Sequence, residues 1–242
     1  MNRELLITRV AAIDAVAAPW TWPWAEASRA AIDANWAEKL ARVPQMFDGR
    51  VLLLREVEID GGKCRATYFE TGFKAFLGWR DLGYPDPTIG NGYAMGALVG
   101  SDGAFVCGVM GGGTANAGRV YFPSGTPDLS DLTPDHRVDL ASSVTRELEE
   151  ETGLSPDLFA VSDEWIVVRR WPAVAFMRPI RCRLPAEAVA EAIRANIEAQ
   201  AEPELADARV IRGAADIDPA RMPLTVQSFL TWAFEGEGRG RL

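Results

Sequence analysis

Apolar positions recur along the chain with two periods, helical and strand-like, and mark out a series of helices and strands. A helix is expected over 25–42, after PWTWPW and before Pro44. FDGRVLLLREVEID at 47–60 reads as a turn and a strand. Gly61-Gly62 reads as a hairpin turn, and KCRATYFE at 63–70 as the return strand. Phe73, Phe76, Leu77 and Arg80 fall at helical spacing within 73–83. PDPTIGNG at 85–92 is dense in turn formers and marks a boundary. It divides the chain into an α+β front segment, residues 1–90, and a main unit, residues 91–242.

In the main unit, YAMGALVGSDGAFVCGVM at 93–110 predicts a hairpin about Ser101-Asp102-Gly103. A glycine-rich loop, GGGTANAG at 111–118, leads into a short strand, RVYFPSG, and an acidic loop over 126–138. A helix is expected over 140–152, then strands near 164–170 and 173–183. Val189, Ile193 and Ile197 form the apolar stripe of a helix over 185–200. A strand near 207–212 and a helix near 224–235 complete the pattern.

Charge and cysteine content narrow the classes. The 242 residues carry a formal net charge of -9, which argues against a nucleic-acid partner and against an anionic membrane surface. No stretch approaches the ~20 apolar residues of a membrane span. Glu4 and Asp14 interrupt any signal-like run near the N-terminus. Cys64, Cys107 and Cys182 are far apart and form no C-x-x-C, so neither a disulfide framework nor a zinc site is expected. A reducing cytoplasm is the expected setting.

The informative chemistry lies in ASSVTRELEEETGLSP at 141–156. Asp139 suits the N-cap, Leu140, Val144 and Leu148 form a buried stripe, and Gly153 suits a left-handed C-terminal residue. At about 100° per residue, Glu147, Glu150 and Glu151 share one face and Glu149 points away. Three carboxylates crowded near a helix C-terminus repel one another and oppose the helix dipole. A divalent cation with hard oxygen ligands reverses that penalty.

The ordered string Arg146, Glu147, Leu148, Glu150, Glu151, Gly153, Leu154 resembles the core of the Nudix box at every specified position. The resemblance implies an α/β/α sandwich with a mixed sheet over about 93–235. It implies a Mg²⁺- or Mn²⁺-dependent hydrolase of a nucleoside diphosphate derivative, with Glu147, Glu150 and Glu151 as metal ligands and Arg146 holding a glutamate by an ion pair. The full box also carries a Gly and, eight residues before the Arg, a Glu. Here those positions are Leu132 and Val138, while Gly125 follows the preceding strand. An insertion between Gly125 and the helix is therefore expected. A further acid from a later loop, as base or ligand, would be Glu202 or Glu204, with Glu204 preferred. Arg119 and Gly125 are candidates for contact with substrate phosphates.

Several features have plainer readings. His136, alone in its loop, reads as a surface residue, and Gly111–Gly113 as a hairpin connection rather than a phosphate cradle. Trp20, Trp22 and Trp24 suit a core or interface better than a base-stacking site. The layout of the front segment resembles the lead-in of Nudix enzymes acting on nucleotide sugars. That ranks nucleotide sugars and ADP-ribose ahead of coenzyme A and dinucleotides, with a homodimer compatible. The alternative is a nucleotide-binding regulatory module on the same fold, without turnover.

Overall fold

The computed structural model describes residues 4–114, 116–236 and 238. Ala115 of the glycine-rich loop and the ends of the two expected units, 1–3 and 239–242, lie outside the described residues. In chain order the strands and helices are β1 (Leu6–Val10), β2 (Ala12–Ala17), α1 (Pro23–Ala27), α2 (Arg29–Arg42), β3 (Arg50–Asp60), β4 (Lys63–Gly72), α3 (Phe73–Asp81), β5 (Asn91–Val99) and β6 (Phe105–Met110). There follow β7 (Val120–Tyr121), β8 (Ser124–Gly125), α4 (Leu140–Thr152), β9 (Phe159–Val161), β10 (Trp165–Arg170), β11 (Ala173–Cys182), α5 (Ala186–Ala199), β12 (Leu205–Ile211) and α6 (Leu224–Glu235).

The architecture is a mixed α/β sandwich. Its large sheet runs β1-β10-β11-β5-β6-β12, with β7 added to β6, β8 to β5 and β9 to β11. The β11–β5 pair is parallel, with Ala173 opposite Asn91, and its neighbours are antiparallel. Side chains alternate between faces along β5. A Cβ at Gly96 would lie 3.4 Å from Val144 of α4, while the Tyr93 hydroxyl meets Thr225 of α6 at 2.8 Å. Residues 93 and 96 point to opposite faces, so α4 and α6 cover opposite sides of the sheet. No helix of the described residues is long and apolar enough to cross a membrane.

The helix expected over 25–42 is broken at Ser28 into α1 and α2. Two strands carried no clear sequence signal. β1 pairs with β10 and so brings the front segment into the large sheet, and β2 pairs in parallel with β4 in a separate three-stranded sheet, β2-β4-β3. Trp22 is buried with Ile32, Leu53, Phe69, Trp79 and Ile89, and Trp20 and Trp24 pack against this second core. The tryptophans of PWTWPW are thus packing residues of the front segment. His136 is an exposed turn residue with φ 60°, and its carbonyl accepts from Ala17 N–H.

The segment expected to be an insertion is clamped rather than loose. Leu52 N–H donates to Pro127 O, and Val138 N–H donates to Ala15 O. Arg137 pairs with Asp14 at 2.7 Å. The loop therefore ties α4 to both β2 and β3.

α4 begins and ends as its residues dictate. The Asp139 carboxylate accepts from Ser142 N–H at 3.0 Å, and Gly153 closes the helix at φ 65°. Val144 and Leu148 are fully buried beneath it. Because burial of that stripe anchors the carboxylate face, Leu148→Ala is expected to cost about 2–5 kcal/mol of unfolding free energy. The exposed control Glu149→Ala should stay within about 0.5 kcal/mol. Urea unfolding of both variants checks this, and equal midpoints would refute it.

Candidate functional site

α4 presents Glu147, Glu150 and Glu151 along one side, graded in exposure. Their side chains are 16 % and 62 % exposed for Glu147 and Glu150, while Glu151 is buried at 4 %. Burial, and then the charge of Glu204, pushes the Glu151 carboxyl up to about 9. Glu151 Oε1 accepts from Ser124 N–H at 3.3 Å, whereas its Oε2 is buried without a hydrogen-bond partner. Burial pushes Glu147 up to about 7 against the counter-effect of Arg146, with Glu150 and Glu204 adding repulsion. Partial desolvation, then repulsion from Glu150, raises Glu204. The loop acid Glu204 thus belongs electrostatically to the group on α4, although 53 residues separate it from Glu151 in sequence.

Arg146 binds the group together. Its Nη2 donates to Asp131 Oδ1 at 2.8 Å, and its Nη1 donates to Glu147 Oε1 at 2.9 Å and lies 3.5 Å from Glu150 Oε2. Burial opposes its charge, but the hydrogen bond to Asp131 and the charges of Glu147 and Asp131 hold it protonated. Asp131 was not a candidate from sequence. Its other oxygen accepts from Asp128 N–H at 3.0 Å, in a capping box closed between the two aspartates. The D-x-x-D spacing at 128–131 was the available signal. Val138, where the resemblance would call for an acid, is buried. Asp131 places an acid against Arg146 from within the loop between β8 and α4. As placed, no three His, Cys, Asp or Glu groups among the described residues converge on one ion-sized point.

Gly125 sits where the group meets the sheet. It pairs with Ala94 across β8–β5, and a Cβ there would lie 2.4 Å from Glu147 Oε1. The glycine is therefore required by the close approach of the Glu147 carboxylate. Gly111, in the glycine-rich loop, is similarly close to backbone, since a Cβ would lie 2.8 Å from Glu204 O. Its N–H donates to that same carbonyl. That bond ties the start of the glycine-rich loop to Glu204, just before β12.

A cavity of about 630 Å³ adjoins the carboxylates through Tyr121, Ser124 and Gly125. Glu151 and Glu204 both act on the Tyr121 hydroxyl, which burial and these charges raise. Arg119 lines this cavity and is exposed, with one long contact from Nη1 to Ala220 O at 3.5 Å. The volume falls in the ordinary range of small-molecule sites. Phe73, Phe76 and Tyr84 of the front segment form part of its wall.

No family model matches the chain, and no curated protein does. Among solved structures, a Nudix hydrolase from M. Smegmatis, RenU, is similar at 14% identity over 59% of this chain and 81% of that chain, with a TM-score of 0.36. A likeness at that level carries no argument about activity.

The electrostatics give a stability signature. A Glu carboxyl raised in the folded protein keeps its proton after the unfolded chain, at about 4.3, has lost it. Unfolding then releases protons, so stability falls as pH rises from about 4.3 through the folded values near 7 and 9. In chelator, the melting temperature is expected to fall between pH 5 and 9, and less steeply in Glu151→Gln than in wild type. An identical slope in that variant would refute the assignment. Gly125→Ala is expected to displace Glu147. Its signature is loss of any Mg²⁺-induced rise in melting temperature with little change in the chelated protein's stability; a full Mg²⁺ response would overturn it.

Proposed function

We propose that this chain is a Mg²⁺- or Mn²⁺-dependent hydrolase that cleaves the diphosphate bond of a nucleoside diphosphate derivative. The observation that carries the reading is the buried, unpartnered Oε2 of Glu151 within a group of mutually repelling carboxylates. A buried acceptor without a partner is costly, and carboxylates on one helix face are the hard-oxygen donors a divalent cation takes once their side chains turn toward it. Glu147, Glu150 and Glu151 would hold the ion, with Glu204 beside them. When bound, such an ion neutralises phosphate charge and makes a water molecule a better nucleophile.

The remaining work falls to the chain itself. Arg146 keeps Glu147 aligned while Asp131 keeps Arg146 from collapsing wholly onto the glutamates. Glu204, raised by its surroundings, is the candidate base that takes a proton from the attacking water. Arg119 offers a guanidinium to the non-bridging phosphate oxygens, at a wall shared with Gly125. The cavity beyond Tyr121 receives the organic part of the substrate. In this reading residues 91–242 carry the chemistry and residues 1–90 shape the cavity through α3.

The test is a panel of nucleotide sugars, ADP-ribose, coenzyme A and dinucleotides with Mg²⁺ or Mn²⁺, followed by release of nucleoside monophosphate. Turnover is expected on at least one member. Glu150→Gln should reduce it by about a hundredfold or more at unchanged melting temperature, the scale of removing a group that acts at the transition state. Wild-type rates in that variant would refute the ligand assignment. Tight binding without turnover of any member would instead identify the regulatory module.

A further inference from the structure

The cavity beside the carboxylates has a charge pattern that cleavage of a diphosphate does not by itself require. None of its lining residues is Asp or Glu, in a chain with 34 acidic residues, yet Arg80, Arg119 and Arg170 all line it. Arg80 is balanced by Asp81 at 3.2 Å. Arg170 is exposed and has no ion-pair or side-chain hydrogen-bond partner among the described residues.

Sheet register places Arg170 at the opposite end from the glutamates. Gly125 stands opposite Ala94, whereas Arg170 stands opposite Ala173, which stands opposite Asn91. Arg170 is therefore three strands across and three residues along from Gly125, roughly 15–20 Å between Cα atoms. An arginine side chain reaches back over part of that distance. The Arg170 backbone therefore stands at the end of the cavity away from Gly125, the glycine that adjoins the carboxylates.

The wall near Arg170 is suited to a nucleoside. Tyr84 lines the cavity, is 41 % exposed and is held at φ 61°. Its left-handed backbone is held by local contacts just past α3, since its N–H donates to Trp79 O at 2.9 Å and its ring meets Trp79 edge-to-face. Asn91, in Arg170's own register row, also lines the cavity, and its Oδ1 is buried without a partner. Turning of the amide would bring that acceptor to a base edge, and the part of the Tyr84 ring left open by its edge-to-face contact with Trp79 at 4.8 Å offers a stacking surface.

We infer that the cavity takes a nucleotide whose ribose carries an additional phosphate monoester, and that Arg170 is the residue selecting it. The inference rests on the nucleotide reading above and narrows it. One anion lies at the carboxylate end, opposite Arg119. The base lies against the Tyr84 and Asn91 wall, and the second phosphate meets the unpaired guanidinium.

Calorimetric titration in chelator separates this inference from hydrolysis. The full-length protein would be titrated with AMP, GMP, UMP and CMP and with their 2′,5′- and 3′,5′-bisphosphates. At least one bisphosphate is expected to bind about tenfold or more tightly than its monophosphate, the scale of a charge-assisted phosphate contact. In Arg170→Gln the ratio should fall to about two or less. In Arg170→Lys it should be intermediate, since charge is kept but the fork is lost. Arg181→Gln, an exposed arginine outside the cavity, should keep the wild-type ratio. ADP, whose extra phosphate extends the 5′ chain, should show no Arg170-dependent gain. Equal affinities for every pair, or a gain that survives Arg170→Gln, would overturn the inference. An Arg170-dependent gain without turnover would sink the hydrolase reading and leave this one standing. Turnover without the gain would do the reverse.

Discussion

The arrangement of this molecule turns on one electrostatic constraint, the crowding of three carboxylates on one face of α4 against a single guanidinium. Arg146 lies within 3.5 Å of both Glu147 and Glu150 and is itself bound to the buried Asp131. If Arg146 paired only with the glutamates, the face would be a closed ion-pair cluster with no need of a cation. Asp131 draws one edge of the guanidinium away, and Glu151 is left buried with an oxygen unpartnered. A buried pair is favourable only when its remaining hydrogen-bonding capacity is met. Here that capacity is deliberately unmet at Glu151, and this open valence makes α4 a candidate site rather than a salt-bridged helix.

Asp131 can play this part only if its loop is fixed. The segment between Gly125 and α4 is fixed from the front of the chain, through Pro127 O, Ala15 O and the Arg137–Asp14 pair. β1 adds to the large sheet and β2 to the smaller one, so one short stretch of chain stitches both sheets together. The front segment is thus coupled to the carboxylate face as well as to the cavity wall. A change in β2 or β3 would reach Arg146 and Glu147 of α4 through the loop that carries Asp131.

How much of this was legible beforehand depends on the range over which each feature is specified. α4 was legible to the residue, because its N-cap, apolar stripe and left-handed Gly153 are local signals. Nearly all of the long strands were legible for the same reason, and the α/β sandwich through the resemblance carried by that helix. β1 and β2 were not, since LITRV and AIDAVA are short, and only pairing with β10 and β4 makes them strands. The α1–α2 break was missed because helix propensity runs unbroken across Ser28. Asp131 was missed because its partner lies fifteen residues on, across a loop whose path no local rule sets. Glu204 was reachable only through resemblance, and its tie to Glu151 is a matter of tertiary approach. Arg170 was invisible, since strand arginines are ordinary and only the register row it shares with Asn91 gives it a place.

The two signs of charge are sorted in space by backbone. On one side of β8 the carboxylates gather, with Glu147 close enough to Gly125 that no side chain fits between. On the other side the cavity lining carries arginines and no acids. A ligand with phosphate groups is repelled by the first region in the absence of a cation and attracted by the second. For the proposed nucleotide ligand, an order of binding would follow from this geometry. The arginine-lined cavity can engage a nucleotide on its own, whereas the carboxylate face accepts phosphate only once its own repulsion is neutralised. In the proposed reading, a strand two residues long, kept free of a Cβ at Gly125, would let both regions touch the same ligand without discharging each other.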